Sequence, residues 1–168
     1  FLKVEPGAYR VHVGEEYSAE LDVMSVEGSA VPQEFYAAQK LVPGFQYLTM
    51  RDGTRLSAYV TMPGPVDEGP YPTVVNYSGY APSEPGAPIE GLEDLCGSLP
   101  VLCDAPNSEG SLLAAFIGYA TVNVNIRGTG CSGGAYDYFE TLQQLDGYDV
   151  IETVAAQPWV LHNKVGMV

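Results

Sequence analysis

Positive charge is scarce in this sequence of 168 residues. Lysine and arginine together number 7 against 21 aspartates and glutamates, which gives a formal net charge of −14. A surface of that sign repels nucleic-acid phosphates, whose neutralisation by basic side chains dominates non-specific binding to DNA and RNA. The charge balance therefore excludes a nucleic-acid-binding protein, and we expect no nucleic-acid partner.

Long apolar runs are also missing. Stretches such as residues 112–117 are far too short to cross a bilayer, and no signal peptide opens the chain. Hydrophobic residues nevertheless make up 46% of the sequence and charged residues 17%, a composition typical of globular proteins. Because the first residue is Phe1 rather than methionine, we expect a processed chain or a fragment of a longer protein.

Metal-binding patterns are absent too, since both histidines stand alone and no Cys-x-x-Cys pair occurs. We therefore expect no metal and no cofactor. Cys96 and Cys103 lie in a loop rich in proline and glycine, so a local disulfide fits an exported protein. We accordingly expect a secreted or cell-envelope protein, with free thiols in a cytoplasmic protein as the alternative. Cys131 is expected to be buried or bonded, because no histidine lies nearby in sequence to stabilise a thiolate.

The first 26 residues alternate between apolar and polar side chains. Tyr9, Val11 and Val13 share one face of the first run, and a second alternating run follows an acidic turn. A lone pair of strands is marginal in water, so residues 1–26 are predicted to end a larger β-rich domain. Residues 27–43 are predicted to form a linker with a short ordered piece.

The sequence from residue 44 onward gives sharper signals. Residues 45–50 and 56–61 are strand-like and flank the turn sequence Arg-Asp-Gly-Thr, which predicts a β-hairpin. Residues 73–77 predict a short apolar strand. The proline-rich stretch 81–107 that follows has no periodic pattern, and loops of that length are usually lids or binding loops.

The stretch YATVNVNIRGTGCSGG, residues 119–134, organises the rest of the chain. Residues 120–126 are uncharged and rich in β-branched side chains, which predicts an interior strand. The strand ends at Arg127, which we expect to be structural and paired with a buried carboxylate or with backbone carbonyls, because arginine does not shuttle protons. Loops at the carboxyl ends of parallel strands carry the chemistry of α/β proteins. The glycines at this functional edge are Gly128, Gly130 and Gly133.

Two helices accompany this strand. Ser108 is predicted to cap a helix that ends at residue 117, and a capping box of Thr141 and Gln144 is predicted to open a second helix that Pro158 stops. A last strand starts at residue 165. The resulting order is a hairpin, then strand, helix, strand, helix, strand, which predicts an α/β fold with a parallel sheet and right-handed crossovers.

The second helix and the two histidines carry further expectations. Because this helix runs antiparallel to the strands, His162 is expected at the amino ends of the strands, away from the functional edge. His12 is interpreted as a surface residue of the N-terminal strands. The acids Asp146, Asp149 and Glu152 are interpreted as a solvated face. The predicted apolar stripe of the helix consists of Leu142, Leu145, Tyr148, Ile151 and Val154.

Four segments, in this order and spacing, resemble one family: FQYLTMRDGTRLSAYVTMPGP, GPYPTVVNYSGY, GYATVNVNIRGTGCSGG and DGYDVIETVAAQPWVLHNKVGMV. Through them residues 45–168 resemble the first half of the catalytic domain of the X-Pro dipeptidyl-peptidase and cocaine-esterase group of α/β-hydrolases. The resemblance implies, over residues 44–168, an antiparallel hairpin followed by a parallel β-α-β-α-β arrangement. Residues 1–26 look like the closing strands of a small β-sandwich.

The resemblance also implies a serine hydrolase that cleaves ester or X-Pro-like peptide bonds through an acyl-enzyme, without a cofactor. In that family a strand like VGMV leads into the nucleophile elbow Gly-x-Ser-Tyr-x-Gly, and this sequence stops about three residues before that serine. The acid and histidine of the triad come later still. We therefore expect a fragment that is inactive alone and depends on the remaining half of the same protein.

One catalytic role of the family falls on a residue of this chain. These hydrolases resemble one another in taking an oxyanion-hole donor from a tyrosine after the first parallel strand. The matching residue is Tyr80, with Tyr77 as the second choice. A phenol at the carboxyl edge of the sheet is able to donate to a developing oxyanion in a dry pocket. The alternative is a tyrosine that packs under the long loop.

Two rival interpretations remain. Gly128, Gly130 and Gly133 also match Gly-x-Gly-x-x-Gly, the dinucleotide-binding turn. That turn should open a helix at its last glycine and be followed by an acid at the end of a strand about 20 residues on, whereas aromatic residues and a helix cap intervene here. The other rival is a non-catalytic binding or structural segment.

Overall fold

The described part of the N-terminal unit contains four short strands. A computed structural model describes residues 4–80 and 82–168 and divides the chain into two compact units, the first ending at Pro32 and the second spanning Gln33–Val168. In the first unit β1 pairs antiparallel with β4, and β2 with β3. The side chain of His12 in β2 is exposed. The larger β-sandwich remains a prediction. The strands are β1 (Gly7–Tyr9), β2 (His12–Val13), β3 (Glu16–Tyr17) and β4 (Leu21–Val23).

In its described residues, 33–80 and 82–168, the second unit contains a five-stranded mixed sheet and three α-helices. Three single turns of 3₁₀-helix, at Val66–Glu68, Glu93–Leu95 and Pro100–Leu102, interrupt its loops. None of the helices in the described residues is long and apolar enough to span a membrane. The elements are α1 (Gln33–Ala37), β5 (Gly44–Thr49), β6 (Arg55–Thr61), β7 (Tyr71–Ser78), α2 (Glu109–Phe116), β8 (Ala120–Asn125), α3 (Thr141–Ala155) and β9 (Val160–Met167).

Strand β8 lies at the centre of this sheet, whose order is β5-β6-β8-β7-β9. It pairs antiparallel with β6 and parallel with β7, and β7 also pairs parallel with β9. All six residues of β8 are buried, and Val122 lies opposite Val60 on one side and Val75 on the other. Each fully buried valine contributes roughly 1.5–3 kcal/mol of apolar burial. The predicted interior strand and the α/β-hydrolase sheet are confirmed.

The hairpin of β5 and β6 forms where the Asp-Gly turn predicts it. Gly53 adopts a left-handed conformation with φ of 83°, which favours glycine because that residue has no Cβ. The Asp52 side chain accepts a hydrogen bond from the Thr54 backbone at 2.9 Å. Both interactions are local, which explains why a short sequence signal sufficed for this turn.

The segment predicted as a linker, residues 27–43, ends within the second unit. Its ordered piece is α1, where the Tyr36 side chain is only 1% exposed. Leu41 belongs to the core cluster, and its carbonyl accepts a hydrogen bond from the Trp159 indole at 3.2 Å. The end of this segment therefore closes one side of the core.

Helix α3 corrects two of the sequence predictions. No capping box forms, because Glu140 is the N-cap and its side chain makes no capping hydrogen bond. The predicted apolar stripe is wrong at two of its five positions, since Leu142 and Tyr148 are 39% and 49% exposed. The solvated face is wrong for Asp146 and Asp149, which are 1% and 0% exposed. Buried arginines from neighbouring loops meet these two carboxylates, as described below.

The loop between β7 and α2 contains no α-helix or extended strand in its described residues, 82–107, as predicted. A disulfide joins Cys96 to Cys103. Val101 and Leu102 pack against Ala115 of α2 and make a small second core. Helix α2 begins as predicted, with the Ser108 side chain accepting from the Ser111 backbone N–H at 3.2 Å. The loop is therefore anchored at both its middle and its end.

Strand β9 starts at Val160, five residues before the predicted start. His162 and Asn163 are left-handed, with φ of 58° and 53°, a conformation that strands do not use. Because these two residues interrupt the first half of the strand, its alternating pattern is visible only after them. The pairing with β7 shifts at this point. His162 lies near the amino end of the strand, as the topology predicts.

Candidate functional site

The carboxyl ends of the parallel strands β7 and β8 lie side by side, and the chain leaves both into glycine-rich loops. Gly128 and Gly130 are left-handed, with φ of 72° and 54°. A Cβ at Gly128 would collide with the Tyr136 backbone nitrogen, and one at Gly130 would lie 2.7 Å from the Asn125 amide nitrogen. Glycine is therefore required at both positions for the loop to fold back on itself.

This loop does not have the structure of a dinucleotide-binding turn. The Gly133 carbonyl accepts from the Gly128 N–H at 2.9 Å, and the Gly133 N–H donates to the Arg55 carbonyl of β6 at 2.8 Å. Helix α3 begins only at Thr141, whereas a dinucleotide-binding turn opens its helix at the last glycine. The glycines thus serve close packing within the loop.

A buried amide joins the two loops at this edge. Asn125, the last residue of β8, is 1% exposed. Its Oδ1 accepts from the Ser83 hydroxyl at 2.6 Å, and its Nδ2 donates to the Thr129 hydroxyl at 3.1 Å. The Ser83 hydroxyl also lies 2.8 Å from that of Ser57 on β6. The sequence analysis missed this connection, although an asparagine at the end of an otherwise uncharged buried strand is a usable signal.

Arg127 lies directly behind the edge and is 5% exposed. Its guanidinium donates to both carboxylate oxygens of Asp146, each at 2.7 Å, and to Asp52 at 3.0 Å. The hydrogen bonds to Asp146 hold the pKa of Arg127 above its usual value against the effect of burial. Burial pushes the pKa of Asp52 upward, but hydrogen bonds from Arg127 and Thr54 outweigh it and leave that pKa lowered. Arg127 is thereby fully ionised and held in place.

A second arginine–carboxylate pair lies further along α3. The Arg51 guanidinium donates to Asp149 at 2.6 Å, and the Arg51 backbone N–H donates to the other carboxylate oxygen at 3.0 Å. The Tyr36 hydroxyl donates to the same carboxylate at 2.8 Å. Burial, together with the hydrogen bond to Asp149, raises the pKa of Tyr36 to about 12. The two pairs fasten α3 to the hairpin turn and to the glycine loop.

An open cleft of about 720 Å³ lies in front of this framework, between the ends of β7 and β8 and the start of α3. Its lining includes five aromatic residues. A cleft at the carboxyl edge of a parallel sheet is where α/β folds bind their ligands. The side chains that line it include Tyr77, Tyr80, Tyr136, Tyr138, Phe139 and Gln143.

The two candidate oxyanion-hole tyrosines differ sharply in surroundings. Tyr77 is partly buried, its hydroxyl donates to the Gln143 carbonyl at 3.1 Å, and burial raises its pKa. Tyr80 is 96% exposed. The Tyr80 hydroxyl has no hydrogen-bond partner among residues 4–80 and 82–168, and only its backbone N–H is engaged, by Ser78 at 3.2 Å. Of these two tyrosines, Tyr80 is thus the one whose hydroxyl proton is available to a ligand.

Two other residues considered from the sequence lie outside the cleft. Cys131 is a free and exposed thiol in the glycine loop, so the expectation that it is buried or bonded is wrong: the loop turns outward at this point. His162 lies at the opposite end of β9 and does not line the cleft. Within the described part of the chain, no group of three or more His, Cys, Asp or Glu side chains is arranged to hold a metal ion.

Comparison with known proteins gives one family match. The family model described as X-Pro dipeptidyl-peptidase (S15 family) matches residues 52–168. No curated protein sequence matches the chain significantly.

Several solved structures share this fold. A CocE/NonD family hydrolase from Staphylococcus aureus is similar at 25% identity with a TM-score of 0.52, over 74% of this chain and 22% of its own. An α-amino acid ester hydrolase is similar at 20% identity with a TM-score of 0.52, over 77% of this chain and 22% of its own. An aminopeptidase from a marine sediment Thaumarchaeota archaeon is similar at 17% identity with a TM-score of 0.54, over 86% of this chain and 24% of its own. The chain thus spans less than a quarter of the length of these three proteins.

Proposed function

The chain belongs to the X-Pro dipeptidyl-peptidase (S15) family, and on that premise we propose that it is part of a serine hydrolase that cleaves ester or peptide bonds through an acyl-enzyme. The family match over residues 52–168 carries this proposal. The exposed Tyr80 on the cleft at the carboxyl edge of the sheet supports it.

The proposed role of Tyr80 is to donate a hydrogen bond to the oxyanion. When the nucleophile attacks the substrate carbonyl carbon, a carbon–oxygen bond forms and the carbonyl electron pair moves onto oxygen. A fixed donor at that point is worth about 10²–10³ in kcat. The phenol of Tyr80 fits this role because it borders the cleft and has no competing partner among the described residues.

The nucleophile is proposed to be the serine that the family places directly after β9. Met167 pairs with Val75 in the parallel β7–β9 ladder, and the Val168 N–H donates to the Val75 carbonyl at 3.1 Å. The parallel ladder therefore directs chain leaving β9 toward the end of β7, which leads to Tyr80. A general base elsewhere in the protein takes the serine proton, the alcohol or amine leaves with a proton, and water then hydrolyses the acyl-enzyme.

Labelling of the intact, full-length protein with a fluorophosphonate probe tests this proposal. We expect stoichiometric labelling of one serine, because such probes trap activated serine nucleophiles. Heat-denatured protein is the control and should remain unlabelled. Well-folded protein that takes up no probe would overturn the proposal, and binding of NAD by that protein would point to a dinucleotide-binding protein.

A further inference from the structure

Gln143 is an amide buried at the cleft without a partner for its side-chain nitrogen. It lies in the first turn of α3, lines the cleft and is 8% exposed. Its Nε2 has no hydrogen-bond partner among the residues that the structure describes. A buried N–H group without a partner is costly and rare in native proteins. A donor of this kind at the wall of a cleft points to a ligand that supplies the acceptor.

The backbone at Gln143 is fixed by its neighbours. The Tyr77 hydroxyl donates to the Gln143 carbonyl at 3.1 Å, and the next turn of α3 carries Asp146, which pairs with Arg127. The Cα from which the Gln143 side chain extends is therefore fixed, and only the side-chain torsions remain to be ordered when a ligand binds.

An aromatic wall, formed by Tyr136, Tyr138 and Phe139, lines the same cleft. The Tyr138 and Phe139 rings have centroids 4.2 Å apart, and those of Tyr136 and Tyr138 are 6.4 Å apart. All three side chains are at least 50% exposed. Phe139 is left-handed with φ of 53°, a conformation that bulky residues rarely adopt. Exposed, mutually packed rings at a cleft offer a surface for an aromatic or apolar group.

We propose that Gln143 and the aromatic wall form a subsite for the acyl part of the substrate. The aromatic or apolar side chain of the acyl group lies against the wall, and a neutral carbonyl oxygen beside it accepts a hydrogen bond from the Gln143 Nε2. This inference rests on the proposed hydrolase function and specifies its substrate as an N-acylated, peptide-like acyl group with an aromatic side chain.

The charges around the cleft favour a neutral acceptor over a carboxylate. Glu140 lines the same cleft as Gln143. The guanidinium of Arg127 is already paired with Asp146 and Asp52. No lysine or arginine is among the described residues that line the cleft, so none of them offsets the repulsion that a carboxylate substrate would meet from Glu140. An amide carbonyl satisfies Gln143 without that repulsion.

The test uses the full-length protein and two p-nitrophenyl esters with the same phenyl ring. One is the N-acetyl-phenylalanine ester, which has the acceptor carbonyl, and the other is the 3-phenylpropanoate ester, which lacks it. We expect the wild type to prefer the first by about tenfold in kcat/KM, and Gln143→Met to lose that preference through KM with kcat little changed. Gln33→Met, an exposed glutamine of α1 that does not line the cleft, is the matched control.

A binding measurement separates this inference from the proposed function. N-acetyl-phenylalanine amide is titrated calorimetrically into the wild type and Gln143→Met, and we expect its Kd to rise about tenfold in the variant. If neither ester is hydrolysed but this Kd still rises, the hydrolase proposal fails and the subsite stands. If Kd and ester preference stay unchanged in a folded Gln143→Met protein, the subsite is overturned. Should Gln143→Met not fold, the isosteric Gln143→Glu replaces it and should weaken binding at least as much.

A second comparison of esters tests the aromatic wall of the subsite. We expect the N-acetyl-phenylalanine ester to be preferred over the N-acetyl-alanine ester, and Tyr138→Ala to reduce that preference several-fold, because the ring contributes apolar contact area. An unchanged ratio of kcat/KM in Tyr138→Ala would remove the wall from the subsite.

Discussion

The ends of β7 and β8 lie at the same edge of one sheet and present opposite kinds of side chain. Arg127, after β8, is buried and holds two carboxylates. Tyr80, after β7, is 96% exposed with a hydroxyl that no described residue engages. A buried charge must be paired where it lies, so Arg127 belongs to the framework. A group that is to meet a substrate must keep its donor free. The comparison separates a residue that holds the edge from one whose donor remains available there.

Removing the carboxylate of Asp146, which pairs with Arg127, should have the largest effect on stability. We expect Asp146→Ala to lower the free energy of unfolding of the protein by about 3–5 kcal/mol, because it leaves Arg127 buried with only Asp52 as a charged partner. Thermal and urea denaturation of the full-length protein measure this. Glu152→Ala, on the same helix but only half-buried, should change stability by no more than about 0.5 kcal/mol. Equal effects of the two changes would contradict a framework role for the pair.

Removing the free donor should affect the reaction and leave the fold intact. We expect Tyr80→Phe to lower kcat of the full-length enzyme by about 10²–10³ with little change in KM or melting temperature. Tyr77→Phe is the matched variant and should cost about 1 kcal/mol of stability, since it loses the hydrogen bond to Gln143, while kcat changes only a few-fold. The reverse pattern would assign the oxyanion role to Tyr77.

The disulfide in the loop that follows Tyr80 should matter less. A bridge between Cys96 and Cys103, separated by seven positions, closes a small loop worth about 2–3 kcal/mol by chain entropy. We expect the double change to serine to lower stability by that amount, and Cys131→Ser, at the exposed free thiol, to be nearly neutral. Mass spectrometry under non-reducing conditions tests the bridge directly. Free thiols at Cys96 and Cys103 would remove it, and with it the support for our proposal that the protein is exported.

The smallest predicted effect is a loss of stability in alkali. The pKa of Tyr36 is raised to about 12 by burial and by Asp149, whereas an unfolded tyrosine titrates near about 10. Between these values the unfolded chain has released the proton and the folded chain has kept it, so stability is complete below pH 10 and falls as the pH rises toward 12. We expect Tyr36→Phe to show a shallower decline of melting temperature over this range, and parallel curves would contradict the shift.

Much of the fold was predictable because its signals are local. The interior strand β8 follows from an uncharged β-branched run, the β5–β6 turn from Asp-Gly, and the cap of α2 from Ser108. Each depends on a few neighbouring residues. The family resemblance then identified the sheet as that of an α/β-hydrolase, while the spatial order of its strands was not predicted.

The polar interior of α3 was not predictable in the same way. Asp146 and Asp149 look like surface acids because their partners, Arg127 and Arg51, are 19 and 98 positions away in the chain. Periodicity records which residues are apolar and not which charges will meet. The spacing of two aspartates three residues apart on one helix face, in a chain with only 7 basic residues, was the available signal. Gln143 was missed because periodicity places a polar side chain at the surface.

The two aspartates of α3 also determine how this helix is able to diverge. An apolar helix face tolerates slippage, because one methyl group replaces another as the helix rotates or slides. Two bidentate arginine pairs tolerate neither movement, since a shift of an ångström breaks both. The two arginine pairs therefore fix the position of α3, and the residues of the helix that face the cleft are not needed to fix it. A lineage with this arrangement is free to exchange the residues that line the cleft while the position of α3 stays fixed.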